Sequence, residues 1–199
     1  PCVKLSEARL LPSVYVTLRK YGSLNFLLTC NEHFSVIFQN IENEESIFTS
    51  KIIFVSEIQR WPKKVIKELY SIDFDGKNLR RLTYHKGIVI SPSVSLDGNK
   101  VLYSLIRSGT GKKNLNLYSM DLKTKRSEII SSRRGINSGG VFSADGNKVI
   151  LTLSHTGNAE IYEIDLRTKG LRMITHHFGV DVDPDLSKDG SLLTFLSNR

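Results

Sequence analysis

Three carboxylates near the C-terminus could bind a divalent cation. The segment Asp181-Val-Asp183-Pro-Asp185 places them at alternate positions, and carboxylate oxygens are ligands that Ca²⁺ prefers. A calcium loop of the EF-hand type also needs glycine at its sixth position and glutamate at its twelfth, where this sequence has Leu186 and Leu192. We therefore interpret the segment as a solvated turn that opens a strand, and we predict no metal site.

Two glycine-containing segments are similar to nucleotide-binding or catalytic motifs but fail on spacing. Gly109-Thr-Gly-Lys112 lacks the first glycine of a phosphate loop, because position 106 is Ile, and neither Ser nor Thr follows the lysine. Gly135-Ile-Asn-Ser138-Gly has its serine in fourth place, whereas a nucleophile elbow needs it in third. A histidine that acts as a general base needs a nucleophile to activate. Without one, we assign no catalytic role to His155, His176 and His177. We predict no catalytic residue and no cofactor.

The two cysteines give no clear site. Cys2 and Cys30 are too few for a disulfide-built scaffold and lack the paired short spacing of a zinc site. Whether they pair with each other stays open at this point.

An internal repeat organises the chain from residue 69 onwards. A Tyr-x-x-Asp element occurs three times, and an Asp-Gly turn follows each tyrosine after 27 residues. The repeat tyrosines are Tyr70, Tyr118 and Tyr162, and the matching aspartates are Asp97, Asp145 and Asp189. The distance between copies is 48 and then 44 residues, so insertions fall in one loop, after the Asp-Gly element.

Local signals inside each copy predict short antiparallel strands. Asp-Gly between two apolar runs favours a hairpin, because glycine adopts the positive φ that other residues resist. The runs that follow these turns are rich in β-branched and aromatic residues, which predicts strands over Lys100–Ile106, Lys148–Leu153 and Ser191–Ser197. With the Tyr-x-x-Asp strand and one further short run, each copy supplies the four strands of a propeller blade.

The strand count predicts an all-β fold and an incomplete propeller. From Lys51 the sequence provides three strands of one blade, two complete blades that end near Ser131 and Thr175, and two strands of another. Propellers close with at least about four blades. We therefore expect residues 51–199 to form a partial propeller that is shortened at both ends, and residues 1–50 to be the end or remnant of an N-terminal domain with its linker.

The charge of +8 is unevenly placed along the 199 residues. Residues 1–50 carry four Lys or Arg against five Asp or Glu, whereas residues 51–199 carry 24 against 15. The basic residues occur singly or in pairs without aromatic interleaving, which favours a solvated surface over nucleic-acid binding. No run approaches 18 apolar residues, so we predict no membrane span.

The repeat elements resemble those of the TolB family of bacterial propeller proteins. The family's Ser-Pro-Asp-Gly pattern corresponds to Ser95-Leu-Asp97-Gly98, Ser143-Ala-Asp145-Gly146 and Ser187-Lys-Asp189-Gly190, with the proline replaced each time. Asp75-Gly76-Lys-Asn-Leu-Arg-Arg-Leu-Thr83 is similar to the link from the first propeller strands to the next blade. The resemblance covers about residues 44–199.

The resemblance implies a periplasmic, non-enzymatic protein with a six-bladed propeller. In that family the propeller binds the lipoprotein Pal, and an N-terminal segment engages TolA. The partner surface is formed by loops that enter the innermost strand of each blade, which correspond here to residues 89–92, 136–140 and 182–184. The candidate partner-binding residues are accordingly Val89, Ile90, Ile136, Asn137, Ser138, Gly139, Val182, Asp183 and Pro184.

Two alternatives come from other functional classes. Prolyl-oligopeptidase-like serine peptidases carry comparable propeller repeats beside an α/β-hydrolase domain, whose Gly-x-Ser-x-Gly elbow does not occur in these 199 residues. Nucleic-acid binding by the basic segment would predict an association that weakens steeply with salt.

Overall fold

Every element of the described residues is a β-strand. The computed structural model describes residues 50–60, 64–107 and 114–199, so Cys2, Cys30 and the Gly109-Thr-Gly-Lys112 loop lie outside them. The thirteen strands are β1 (Lys51–Arg60), β2 (Lys64–Asp73), β3 (Arg80–Arg81), β4 (Ile88–Val94), β5 (Lys100–Ile106), β6 (Leu115–Asp121), β7 (Ser127–Ser131), β8 (Asn137–Phe142), β9 (Lys148–Leu153), β10 (Glu160–Asp165), β11 (Leu171–Met173), β12 (Asp181–Leu186) and β13 (Leu193–Ser197).

The described chain divides into two compact units. The smaller one contains the described residues up to Ser56 together with Leu69–Thr83, and there β2 pairs antiparallel with β3. The larger one contains Glu57–Glu68 and Tyr84–Arg199.

Two complete four-stranded blades lie in the larger unit. Strands β4, β5, β6 and β7 pair antiparallel in sequence order, and β8, β9, β10 and β11 repeat that arrangement. Strands β12 and β13 form the first hairpin of the next blade. The all-β fold with two complete and two partial blades is therefore confirmed, and β5 and β9 occupy the predicted ranges.

One strand pairing departs from separate blades. A parallel bridge between Lys67 and Ile88 joins β2 to β4, so the first sheet continues beyond its four blade strands. Two hydrogen bonds bring these strands together: the Lys67 amide donates to the Gly87 carbonyl at 3.0 Å, and the Lys86 amide donates to the buried Glu68 carboxylate at 2.7 Å.

The three Asp-Gly turns share one hydrogen-bonded geometry. In the second copy the Ser143 hydroxyl donates to the Asp145 carboxylate at 2.6 Å and accepts the Lys148 amide at 2.9 Å. The same carboxylate accepts the Asn147 amide, and Gly146 has a φ of +70°. The serine therefore closes the turn without the proline of the family pattern, and the equivalent serine bonds recur at Asp97 and Asp189.

The two complete blades pack face to face through a glycine. Strand β8 lies against β4, β5 and β6 of the preceding blade. A Cβ atom at Gly140 would lie 2.8 Å from Cδ2 of Leu117 and 3.4 Å from Cδ1 of Leu102, both fully buried. Only glycine fits here without displacing the neighbours. The core that forms around this contact contains Leu102, Leu117, Ile130, Phe142, Val149, Leu151, Leu153, Tyr162 and Ile164.

Replacement of Gly140 by Val should destabilise the protein by about 1–3 kcal/mol, the usual range for overpacking a filled core. Urea unfolding followed by circular dichroism measures this. If Leu117 is the residue in collision, the double variant Gly140→Val/Leu117→Ala loses less than the sum of the two single variants. Strict additivity of the free energies would contradict the proposed contact.

The Asp-Gly turns should make stability depend on acid pH. Hydrogen bonds from the Ser143 hydroxyl and the Asn147 side chain lower the pKa of Asp145 to about 2, from an ordinary value of 3.8. Because the folded pKa is the lower one, the contribution is complete above pH ~4 and disappears as the pH falls towards 2. We expect Asp145→Asn to unfold more easily than wild type near neutral pH, with the difference shrinking in that acid window.

Unfolding curves recorded from neutral pH down to this window test the prediction. Glu128→Gln is the control, because Glu128 is exposed on β7 and makes no side-chain hydrogen bond within the described residues. A stability difference for Asp145→Asn that is constant over the whole pH range would count against the turn mechanism.

Candidate interaction site

The antiparallel topology gives the blades of the larger unit two distinct ends. The Asp-Gly turns lie at one end, which we call the turn end. At the opposite end, which we call the loop end, lie Arg107 and residues 84–87, 132–136, 154–159, 174–180 and 198–199. Eight of the nine candidate residues belong to strands that begin at the loop end.

Most of the predicted partner-binding loops are strands. Val89 and Ile90 belong to β4, Asn137, Ser138 and Gly139 to β8, and Val182, Asp183 and Pro184 to β12, whereas only Ile136 lies in a connecting segment. The loop assignment was therefore wrong for these eight residues. These residues remain within strands because each strand contains a β-bulge. The register shifts between Ile90 and Ser93, between Ser138 and Val141, and between Val182 and Asp185.

Each bulge contains one residue with left-handed backbone. Ser91, Gly139 and Asp183 have φ values of +51°, +62° and +52°, and each stands six residues before its Asp-Gly aspartate. A Cβ at Gly139 would lie 3.1 Å from the Asp183 carboxylate and 3.4 Å from Pro184. The bulges of β8 and β12 therefore touch, and the Asp183 amide donates to the Thr152 hydroxyl at 3.2 Å.

Three of the candidate side chains are buried inside the protein, Pro184 among them. Val89 and Asn137 both have an exposed fraction of 0%. The Asn137 amide group donates to the carbonyls of Leu115 at 2.9 Å and Arg133 at 2.6 Å, and its oxygen accepts the Ser131 hydroxyl at 2.6 Å. Asn137 therefore holds the start of β8 in place. Surface contact remains a prediction for the accessible candidates, among which Ile136 is 38% exposed and Asp183 is exposed.

Sequence reasoning missed two asparagines that fix the loop end. Asn114 donates to the carbonyls of Ser132 and Arg133, and its oxygen accepts the Gly135 amide at 2.9 Å. Asn158 donates to the carbonyls of His177 and Gly179, at 2.8 and 2.7 Å. Both stand four residues before a repeat tyrosine, so an alignment of the copies contains the signal.

Buried carboxylates near the loop end already have partners. The Glu160 carboxylate accepts the Thr175 hydroxyl at 2.7 Å and the His177 amide at 2.9 Å. Asp181 is fully buried and forms an ion pair with Arg199 at 2.6 Å, which holds the pKa of this carboxyl below its ordinary value. The described residues contain no group of three or more His, Cys, Asp and Glu side chains able to hold a metal ion.

Two histidines at the loop end lie against tyrosines. Nε2 of His85 is 2.9 Å from the Tyr103 hydroxyl, and the rings of Tyr103 and Tyr118 stack with centroids 5.6 Å apart. The His155 ring lies 5.2 Å from that of Tyr162. Burial lowers the pKa of both imidazoles, which favours their neutral form. Within the described part of the chain, no helix has the length and apolar character needed to cross a membrane.

Curated relatives match most of this chain. A TolB homologue of Chlorobium luteolum is 31% identical over 160 residues, which cover 80% of this chain and 34% of that protein. The Tol-Pal system protein TolB of a Ruegeria species is 38% identical over 74 residues, or 37% of this chain and 16% of that protein. The chain therefore spans about a third of the length of the relative that it matches more fully.

Solved structures agree with this likeness. The crystal structure of TolB from Acinetobacter baumannii has a TM-score of 0.68 at 28% identity, covering 83% of this chain and 40% of that one. A puromycin-hydrolysing peptidase of Mycobacterium tuberculosis has a TM-score of 0.58 at 13% identity, covering 74% of this chain and 26% of that one, and this shows a shared fold alone. The profile of the TolB beta propeller domain matches residues 38–199, and the chain belongs to that family.

Proposed function

We propose that this chain is part of a non-enzymatic propeller scaffold that binds a Pal-like lipoprotein in the periplasm. The support is the family membership together with a relative named as a Tol-Pal system protein. Because the chain spans about a third of the fuller-matching relative, this function refers to the protein to which these blades belong.

The contact between two bulged strands is the observation that carries the proposal. Gly139 and Asp183 meet where β8 and β12 begin, and Ile136 stands exposed beside them. Asn114 and Thr152 accept hydrogen bonds from the amides of Gly135 and Asp183, and Asn137 donates to the Leu115 carbonyl, so the backbone is fixed on both sides. A fixed backbone that presents variable side chains is the usual form of a protein-binding surface on a rigid scaffold.

A peptidase role is the alternative. It draws support only from a shared propeller fold, seen in a peptidase that is 13% identical. Against it, no serine hydroxyl is hydrogen-bonded to a histidine ring within the described residues: Nε2 of His85 contacts the Tyr103 hydroxyl, and Nδ1 of His177 accepts the Gly179 amide. The proposal therefore assigns binding, with no chemical step, to this propeller.

Two further parts of the proposal concern the division of the chain and a second partner. Residues 1–50 would be the end of an N-terminal domain with its linker, and residues 51–199 the propeller part. A segment that precedes the propeller would engage a TolA-like protein, and no cofactor is required for either contact.

Replacement of Ile136 by Asp should weaken binding of the soluble domain of a Pal-like lipoprotein by about tenfold or more, because it introduces a charge at the centre of the proposed contact. Biolayer interferometry with the immobilised lipoprotein measures the affinity. The matched control is Ile129→Asp, since Ile129 is 52% exposed on β7, away from the loop end. A full-length protein containing these blades that ignores the lipoprotein, or equal losses in the two variants, would contradict the proposal.

A further inference from the structure

The loop end combines several cations with no carboxylate in its connecting segments. These segments contain five Lys or Arg residues and four of the five histidines, and no Asp or Glu. The five cations are Lys86, Arg107, Arg133, Arg134 and Arg199.

The turn end differs in its charge pattern. Its connections also contain basic residues, Lys123 and Arg126 among them, but each Asp-Gly turn adds a carboxylate. Asp121 and Asp165 stand at the edges of the other two turns there. The two ends therefore differ in their charges. The connections of the turn end carry charges of both signs, whereas those of the loop end carry positive charges.

Hydrogen bonds hold part of the backbone that carries these cations. Asn114 donates to the carbonyl of Arg133 and accepts the Gly135 amide, and the Ile136 amide donates to the Ser154 hydroxyl at 2.8 Å. The positive charge of Arg133 acts on His155, whereas His85 feels the negative charge of Glu68 and, more weakly, the positive charge of Arg107. The backbone at Arg133 and Arg134 is therefore held in place.

Nearby carboxylates compensate part of this positive charge: Glu68 accepts the Lys86 amide and acts on His85, and Asp183 is exposed near the start of β12. Arg199 is neutralised by Asp181, and Glu160 is saturated by hydrogen bonds. Lys86, Arg107, Arg133 and Arg134 form no ion pair within the described residues. Three of these four are arginines, whose planar guanidinium groups bind carboxylates through two parallel hydrogen bonds.

Apolar side chains accompany the cations. Phe178 is 92% exposed and lies against the His177 ring, with ring centroids 4.0 Å apart. Ile136 follows Arg133 and Arg134 in the same connection. Tyr84 is a second exposed aromatic side chain at this end, at 69%. Two such side chains are fewer than the series of platforms on which successive nucleotide bases stack, and they offer little apolar surface for insertion into a bilayer.

We infer that the loop end is a docking surface for an acidic polypeptide segment that carries an apolar residue. The carboxylates of that segment pair with Arg107, Arg133 and Arg134, and its apolar residue lies between Ile136 and Phe178. This inference rests on the proposed function, since it states the chemistry that the lipoprotein or another protein partner needs at its contact. Electrostatic complementarity of this kind sets partner choice and association rate.

Two charge-reversal variants of equal net charge test the inference. Arg107→Glu/Arg134→Glu changes the loop end, and Lys123→Glu/Arg126→Glu is the control at the turn end; all four residues are exposed. The probe is a fluorescent peptide of alternating Asp and Glu with one central Leu, titrated by anisotropy at low salt. Binding of the peptide should weaken about tenfold or more in the loop-end variant and change little in the control.

Equal losses in both variants would overturn the inference, since only net charge would then matter. It would also be overturned if oligo(dT) of the same charge, or phosphatidylglycerol vesicles, bound more tightly than the peptide and depended on the same arginines. Circular dichroism verifies that both variants are folded.

The two experiments distinguish failure of this inference from failure of the proposed function. If a Pal-like lipoprotein ignores wild type while the acidic peptide still requires the loop-end arginines, the proposed function fails and the docking surface stands. If the lipoprotein binds both variants equally, and the peptide likewise, the inference fails and the proposed function stands.

Discussion

The structure depends on the burial of each blade against the next one. A four-stranded blade has an apolar face that water would otherwise reach, and in this chain β8 covers the face formed by β4, β5 and β6. Gly140 permits that approach because its missing side chain leaves room for Leu117 and Leu102. The same strand also contacts the following blade, because Gly139 in its bulge lies against Asp183 of β12.

The sequence predicted the turns and the strands that leave them very well. The Asp-Gly turns fixed the start of β5 and β9, since a left-handed glycine and a serine hydroxyl are local requirements that three copies repeat. Strand β13 begins two residues later than predicted. The Ser191 amide still bonds to the Asp189 carboxylate, as the amides of Asn99 and Asn147 bond to theirs just before β5 and β9 begin. The bond from the Leu192 amide to Ser187 does not explain the second residue, since Lys100 and Lys148 make the same bond within their strands.

The innermost strands were harder to predict. Ser91-Pro92 in β4, Gly139-Gly140 in β8 and Asp183-Pro184 in β12 are residue types of turns, so they indicated loops. A β-bulge accommodates such residues within a strand and lets pairing resume beyond them. The inaccessibility of Asn137 could not be predicted either, since its hydrogen-bond partners come together only when β6, β7 and β8 have assembled.

At the left-handed position of each bulge, the blades share one backbone conformation but differ in side chain. Three blades place serine, glycine and aspartate there, with φ values between +51° and +62°. The backbone conformation is thus independent of the side chain, which varies from absent to charged. At Gly139, however, a Cβ would lie 3.1 Å from the Asp183 carboxylate, so the residue that one blade can place at this position depends on the residue that the next blade places there.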